Sequence, residues 1–253
     1  MFLNFGSHKG RTLEQSFARF ISNDIDTGQI DPNHVVITSG AQHGVMVALL
    51  SIKQREQPVV AVDDLAFGGF RDLSDMLGCD IYSIAWDEDG PLPWSLEHCH
   101  QKFGVNVYIT SAEVHNPTMA CVTNERRVEL ADVAKRCGIS IIDDDCCRIS
   151  VASGPSYRAL APQMTWYVTS LSKVLSSGLR LGAVIAPELC VHTARKVVMT
   201  TILRVSDYFY HLGQHILTSD ALAGVRSRIG DETETYLEEA INRLGRFELS
   251  WQP

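Results

Sequence analysis

One lysine of this chain stands among residues that could hold a phosphorylated aldehyde. Lys173 has serine hydroxyls one and three residues before it, at Ser172 and Ser170, and Arg180 seven residues after it. A lysine amine can form a Schiff base with an aldehyde. Hydroxyls and the planar guanidinium group bind phosphate dianions. The segment therefore predicts a site for pyridoxal 5'-phosphate (PLP), the common cofactor that carries both groups.

Taken alone, a Ser-x-Ser-Lys tetrapeptide is more typical of a solvated loop, because serine and lysine are common surface residues. The wider pattern of the chain favours a functional site. Seven short apolar, β-branched runs alternate with amphipathic stretches, and a polar segment follows most of the runs. The runs are residues 35–38, 59–62, 80–84, 105–110, 139–143, 165–169 and 182–185.

This alternation predicts the α/β class, as a three-layer α/β/α sandwich around a mostly parallel seven-stranded sheet. The connection over residues 170–181 is short for a parallel crossover, so we expect the last strand to be antiparallel. Helices are predicted over residues 42–53, 70–77, 124–136 and 231–246. Asn124 is the expected N-terminal cap of the third helix, and Gly138 is its expected stop.

In such sheets, ligands bind beyond the carboxyl ends of the strands. After the first run comes Gly40-Ala41-Gln42, a small turn into a helix whose free N–H groups could seat a phosphate. An ordinary strand-to-helix turn is the alternative. After the second run, Phe67 could stack on a planar ring, whereas we expect Phe70 to lie in the core.

Further candidates follow the fourth and fifth runs. Asn116 could donate its amide hydrogen to a ring oxygen. The three carboxylates of residues 143–145 repel one another, so a cation or proton is expected nearby, and a protonated pyridine nitrogen would serve. A charged turn solvated at the surface is the alternative.

Composition excludes several function classes. The 253 residues carry a net charge of -8 and no Lys/Arg run, which predicts no nucleic-acid partner. No 18-residue apolar stretch is free of charge and the N-terminus lacks signal-peptide features, so we expect no membrane span. The odd, irregularly spaced set of seven cysteines predicts reduced thiols in a cytoplasmic protein. His98-Cys99-His100 and Cys146-Cys147 lack a second pair at zinc spacing, so no metal site is expected.

These motifs together resemble those of the fold-type I, PLP-dependent aminotransferases of class I/II, close to the aminotransferase-like domains of MocR-type regulators. Asn116-Pro117-Thr118, Asp144 and Lys173 occur in the family's order, 28 and 29 residues apart. The resemblance implies that Lys173 forms the Schiff base and moves the Cα proton. It implies that Asp144 keeps the pyridine nitrogen protonated, with Asp143 as the alternative.

The resemblance also implies the remaining cofactor contacts. Asn116 would bind the phenolic oxygen and Phe67 would stack on the ring. The phosphate would be held by Ser170, Ser172, Arg180 and the backbone of Gly40, Ala41 and Gln42. Cys146 stands where the family usually has a tyrosine that contacts the phenolic oxygen, and a thiol is a weaker donor.

By the same resemblance, residues 1–30 form an N-terminal helical segment and residues 31–225 the PLP-binding large domain. Residues 226–253 would begin a small C-terminal domain, which we expect to be truncated. That domain normally supplies the arginine that binds the substrate carboxylate. The family's active site lies at a homodimer interface, so a homodimer is expected.

The leading functional hypothesis is an aminotransferase that moves an amino group between an amino acid and a 2-oxo acid. Cys146 and the missing carboxylate clamp motivate an alternative, a PLP-binding sensor or effector module without turnover. A PLP-dependent lyase, racemase or decarboxylase is a further alternative. A nucleotide-binding protein without PLP is disfavoured, because neither a Gly-x-Gly-x-x-Gly nor a Walker-type loop is present.

Overall fold

The computed structural model describes residues 11–28, 30–219 and 221–244. Within these ranges the chain forms helices and strands in alternation. The strands are β1 (Val35–Thr38), β2 (Val59–Asp63), β3 (Asp80–Ile84), β4 (Trp86–Asp87), β5 (Gly90–Pro91), β6 (Val107–Thr110), β7 (Ser140–Asp144), β8 (Thr165–Ser170) and β9 (Gly182–Ile185). The helices are α1 (Leu13–Asp24), α2 (Ala41–Lys53), α3 (Gly68–Met76), α4 (Pro93–Phe103), α5 (Asn124–Cys137), α6 (Tyr157–Leu160), α7 (Val191–Thr201), α8 (Asp207–Thr218) and α9 (Ala221–Leu244).

Seven strands form one sheet in the order β1-β9-β8-β7-β6-β2-β3. Neighbouring strands from β8 to β3 run parallel, whereas β9 is antiparallel to both β8 and β1. Val184 of β9 pairs with Val36 on one side and Val168 on the other. The predicted mostly parallel seven-stranded sheet and its antiparallel last strand are therefore confirmed.

Side chains that alternate along the strands pack against helices on both faces of the sheet. On one face, α2, α3 and α7 cover residues such as Val60, Val62 and Val168. On the opposite face, α4 and α5 cover residues such as Ala61 and Tyr108. A further cluster joins α1 to β1 and β9. The predicted three-layer α/β/α sandwich is confirmed.

Local signals in the sequence account for the ends of several helices. In α1, Thr12 and Gln15 each accept a hydrogen bond from the other's backbone N–H, which satisfies donors that the first turn leaves free. Gly138 ends α5 in the left-handed region at φ 69°, as predicted. The predicted cap of α5 was wrong by one residue. Thr123 rather than Asn124 caps the helix, because its side chain accepts from the Arg126 N–H.

Several elements are absent from the sequence-based prediction. These are the two-residue strands β4 and β5, which pair with each other, and the helices α4, α6, α7 and α8. The predicted helix over residues 231–246 is the second half of the longer α9, and residues 245 and 246 lie outside the described residues. The boundary expected at residues 225 and 226 falls within α9, and the division into domains stays a prediction. None of the described helices is long and apolar enough to cross a membrane.

Candidate functional site

A cavity of about 240 Å³ lies at the carboxyl edge of the parallel strands. Ten of the eleven predicted contact residues line it, because the strands that precede them end side by side. These ten are Ala41, Gln42, Phe67, Asn116, Asp144, Cys146, Ser170, Ser172, Lys173 and Arg180. The eleventh, Gly40, immediately precedes them at the start of α2. A larger, open cavity of about 510 Å³ lies beside β1 and α7, but no predicted contact residue lines it.

Lys173 lies in the turn between β8 and β9, and its side chain is exposed at the cavity. The residues on either side of it anchor this turn. Leu171 is fully buried and Val174 is 2% exposed, both in the cluster that α1 shares with β1 and β9. Fixed apolar neighbours therefore hold the backbone while the amine stays accessible.

Asp144 ends β7 at the floor of the cavity, where its side chain is 7% exposed. Its Oδ1 accepts a hydrogen bond of 3.2 Å from the Cys146 N–H. Burial raises the pKa of Asp144 to about 7. Among the described residues no basic side chain pairs with this carboxyl, so a cation in the cavity would be the natural partner of its ionised form.

The neighbouring carboxyls have other partners. Asp143 does not line the cavity, and its Oδ1 accepts from the Ala112 N–H at 3.4 Å. Asp145 forms an ion pair with Arg148 at 2.7 Å and also accepts a hydrogen bond from Tyr167. All three carboxyls are buried, so the alternative of a solvated charged turn is wrong.

The turn between β1 and α2 is closed by polar contacts. Gly40 adopts φ 83°, a conformation that glycine reaches without strain. The Thr38 hydroxyl donates to the Gly40 carbonyl at 3.0 Å, and Arg180 Nη2 donates to the Ser39 carbonyl at 3.4 Å. A Cβ on Gly40 would come within 3.1 Å of Arg180 Nη2. The guanidinium group therefore lies against the N-terminus of α2, and together they make a seat for an anion.

Two phenylalanines line the other side of the cavity. Phe67 precedes α3, is 39% exposed, and meets Phe70 edge to face with ring centroids 5.6 Å apart. Phe70 is 5% exposed in the core, as expected, although one part of it also reaches the cavity. A Cβ on Gly69 would overlap the Phe67 ring, so this glycine leaves room for the aromatic side chain.

Asn116 lies in a loop that a buried histidine holds in place. His115 is 2% exposed, and its Nδ1 lies 2.7 Å from the Thr118 hydroxyl. Its ring packs on Trp86 with centroids 4.5 Å apart, and its Nε2 lies 3.4 Å from Asp63 Oδ2. His115 stands directly beside the predicted asparagine, but no local pattern in the sequence indicates that its ring supports this loop.

Cys146 and Cys147 both line the cavity, with their sulfur atoms 3.8 Å apart. The hydrogen bond between them and the nearby Lys173 amine lower the pKa of Cys147 to about 6. The same hydrogen bond and burial raise the pKa of Cys146. Cys147 is thus the more acidic of the two thiols in this wall, and no motif of the sequence marked it as a residue of the cofactor site.

The sequence model of the family described as aminotransferase class I and II matches residues 2–246. The chain belongs to this family. Among solved structures, the kynurenine aminotransferase of Pyrococcus horikoshii, in complex with PMP, has a TM-score of 0.83 at 18% identity and covers 97% of this chain and 62% of its own. Another similar structure is described as a PLP-dependent aminotransferase from Streptococcus suis. The family, together with these structural neighbours, implies PLP as the cofactor.

The curated relatives of this chain include both transcriptional regulators and enzymes. The HTH-type transcriptional regulator TauR of Rhodobacter capsulatus is 31% identical over 180 residues, which cover 68% of this chain and 35% of TauR. The mitochondrial kynurenine/alpha-aminoadipate aminotransferase of Bos taurus is 26% identical over 176 residues, 64% of this chain and 40% of that enzyme. The chain thus spans less than half of these relatives. The expectation of no nucleic-acid partner receives no support, because several relatives are named as transcriptional regulators.

The cavity fits PLP by its own chemistry. A buried carboxyl with which no basic side chain pairs in the part of the chain that the structure describes suits a protonated pyridine nitrogen. An exposed amine suits an aldehyde, and a helix N-terminus beside a guanidinium group suits a phosphate. Three functional groups of one cofactor therefore have partners in one cavity.

Proposed function

We propose that this chain binds PLP covalently through Lys173 and forms the cofactor-binding part of an aminotransferase that moves an amino group between an amino acid and a 2-oxo acid. The observation that carries the proposal is the convergence of Lys173, Asp144, Asn116 and Arg180 on one cavity. Asn116 follows β6, Asp144 ends β7, and Lys173 and Arg180 share the connection from β8 to β9, so three separate segments meet only because the sheet places them side by side.

Each group has a distinct task in this proposal. The N–H groups at the start of α2 and the side chains of Ser170, Ser172 and Arg180 would hold the phosphate. Asp144 would hold the pyridine nitrogen in its protonated form, and Asn116 would donate to the ring oxygen. Phe67 would cover one face of the ring.

When bound, PLP supplies an electron sink for negative charge at the substrate Cα. Once the amino group of the substrate has replaced it on the cofactor, the freed Lys173 amine would take up the Cα proton on Nζ and return it to the cofactor side. Asp144 would remain ionised, since the cation that it faces offsets the cost of burying its charge. Leu171 and Val174 would keep the lysine turn in place during the proton transfer.

A second candidate function is a PLP-binding sensor or effector module without turnover. Cys146 supports it, because a thiol is a weaker hydrogen-bond donor than the tyrosine hydroxyl usual at this position. The similarity to TauR also supports it. The family resemblance supports a homodimer, and the seven free cysteines support a cytoplasmic location.

Borohydride reduction of the full chain with PLP, followed by peptide mass mapping, tests cofactor attachment. The reduced label should lie on Lys173 and should be lost in Lys173→Ala. A label on another residue, or no label, would overturn the proposal. Addition of an amino acid then separates the two functions. Release of a 2-oxo acid supports the aminotransferase, whereas a spectral change without such release supports the sensor, and other products support a lyase, racemase or decarboxylase.

A further inference from the structure

A buried histidine joins the turn at the start of α2 to the end of α7. His43 lies in the first turns of α2, is 8% exposed, and does not line the cavity. Its Nδ1 lies 3.0 Å from the backbone nitrogen of Ser39. Its Nε2 lies 2.9 Å from the hydroxyl oxygen of Thr201, the last residue of α7. Both ring nitrogens are therefore engaged.

The neighbours of His43 determine its tautomer. The Ser39 N–H can only donate, so Nδ1 must be the unprotonated acceptor. The Thr201 hydroxyl donates to the Val197 carbonyl at 2.9 Å, which leaves its oxygen free to accept from Nε2–H. The neutral ring protonated at Nε2 satisfies both contacts. Burial lowers the pKa of His43, in agreement with a neutral ring.

The Ser39 backbone connects His43 to the anion seat, which is formed by the N-terminus of α2 and the Arg180 guanidinium group. Its N–H donates to His43, and its carbonyl accepts from Arg180 Nη2 at 3.4 Å. The Thr38 hydroxyl holds the next carbonyl, that of Gly40, at 3.0 Å. A Cβ on Gly182 would come within 2.9 Å of the Gly40 carbonyl carbon, so β9 also closes on this turn. A change in the direction of the Ser39 N–H would therefore move both the turn and the contact with Arg180.

We propose that His43 is a positioning residue that orients the Ser39–Gly40 backbone and so aims the first N–H groups of α2 at the cofactor phosphate. His43 acts through Ser39 and touches no ligand itself. Thr201 holds the far side of the ring, so α7 serves as the fixed support. This inference rests on the proposed binding of PLP, and it concerns the phosphate end of the cofactor alone.

A matched pair of variants separates the two ring nitrogens. The amide of Asn reaches the position of His Nδ1, so His43→Asn can still accept from the Ser39 N–H. The amide of Gln reaches the position of Nε2, so His43→Gln can keep the Thr201 contact but loses the Ser39 contact. Both variants remain polar and neutral, and thermal unfolding checks that each one folds.

The affinity of the full chain is then measured for PLP and for pyridoxal, which lacks the phosphate. His43→Gln should weaken PLP binding about tenfold, as expected for one lost hydrogen bond, and should change pyridoxal binding less than about twofold. His43→Asn should keep PLP affinity within about threefold of the wild type.

Equal PLP affinities of the two variants would overturn the role of His43, and so would equal losses for PLP and pyridoxal. The second result would mean that His43 supports the whole domain and not the phosphate turn. Failure of the wild type to bind either compound would instead overturn the proposed function and this inference with it.

Discussion

Asp143 and Asp144 are consecutive residues of β7, yet their side chains lie on opposite faces of the sheet. Asp144 lines the cavity beside Cys146, whereas Asp143 accepts from the Ala112 N–H on the other side. Successive side chains of a strand point to opposite faces, so a shift of one residue exchanges the two carboxyls. Of these two carboxyls, Asp144 is therefore the one that can contact a ligand in this cavity.

This relationship predicts different outcomes for two isosteric variants. Asp144→Asn should slow the half-reaction of the PLP-bound chain with an amino acid by about 100-fold or more, because a neutral amide no longer keeps the pyridine nitrogen protonated. Asp143→Asn should leave this rate within about fivefold of the wild type, since its amide lies on the far face. Stopped-flow absorbance measures both rates. Similar losses in the two variants would contradict the assignment of Asp144.

The same carboxyls should make the stability of the PLP-free chain fall as the pH rises. Burial raises the pKa of Asp144 from 3.8 to about 7, and that of Asp143 likewise to about 7. Each carboxyl has a higher pKa in the folded than in the unfolded chain. Its contribution to the free energy of unfolding is therefore fully present below about pH 4, where it is neutral in both states, and is lost as the pH rises to about 7. Each carboxyl then accounts for a loss of at most about 4 kcal/mol in the free energy of unfolding.

Urea unfolding at about pH 5 and about pH 8 measures this dependence. Asp144→Asn should lose less stability between these two pH values than the wild type, because its amide does not titrate. PLP should reduce the loss in the wild type, since a bound cation favours the ionised carboxylate. An identical pH dependence in Asp144→Asn and wild type would exclude Asp144 as a source of the effect.

Cys147 should be the more reactive of two half-buried thiols. The hydrogen bond with Cys146 and the Lys173 amine lower the pKa of Cys147 to about 6, whereas burial raises the pKa of Cys137. The thiolate is the nucleophile, so iodoacetamide at about pH 6.5 should label Cys147 at least about fivefold faster than Cys137.

Peptide mass spectrometry measures the two labelling rates in one sample, and Cys137 thus serves as an internal reference. Cys146→Ala removes the thiol that shares a hydrogen bond with Cys147 and should slow the labelling of Cys147. Equal rates at Cys147 and Cys137 in the wild type would show that the hydrogen bond and the lysine do not activate Cys147.

The sequence alone determined the sheet and most of the cavity wall. Apolar runs mark buried strands wherever they lie, and ligands collect at the carboxyl ends of parallel strands, so each polar segment after a run was a candidate. The spacing of Asn116, Asp144 and Lys173 further identified the family that the sequence comparison confirms. These inferences succeeded because they depend on local pattern and chain order.

Only the tertiary structure decided which side chains meet. The way β7 is oriented in the sheet turns Asp144, and not Asp143, toward the cavity. The packing of α2 against α7 brings His43 to Thr201, which is 158 residues away in the sequence. His43 looked like an ordinary helix residue, because no local pattern shows what its ring touches. Pairings of this kind arise when packed elements bring distant parts of the chain together, and the pattern of a single segment does not contain them.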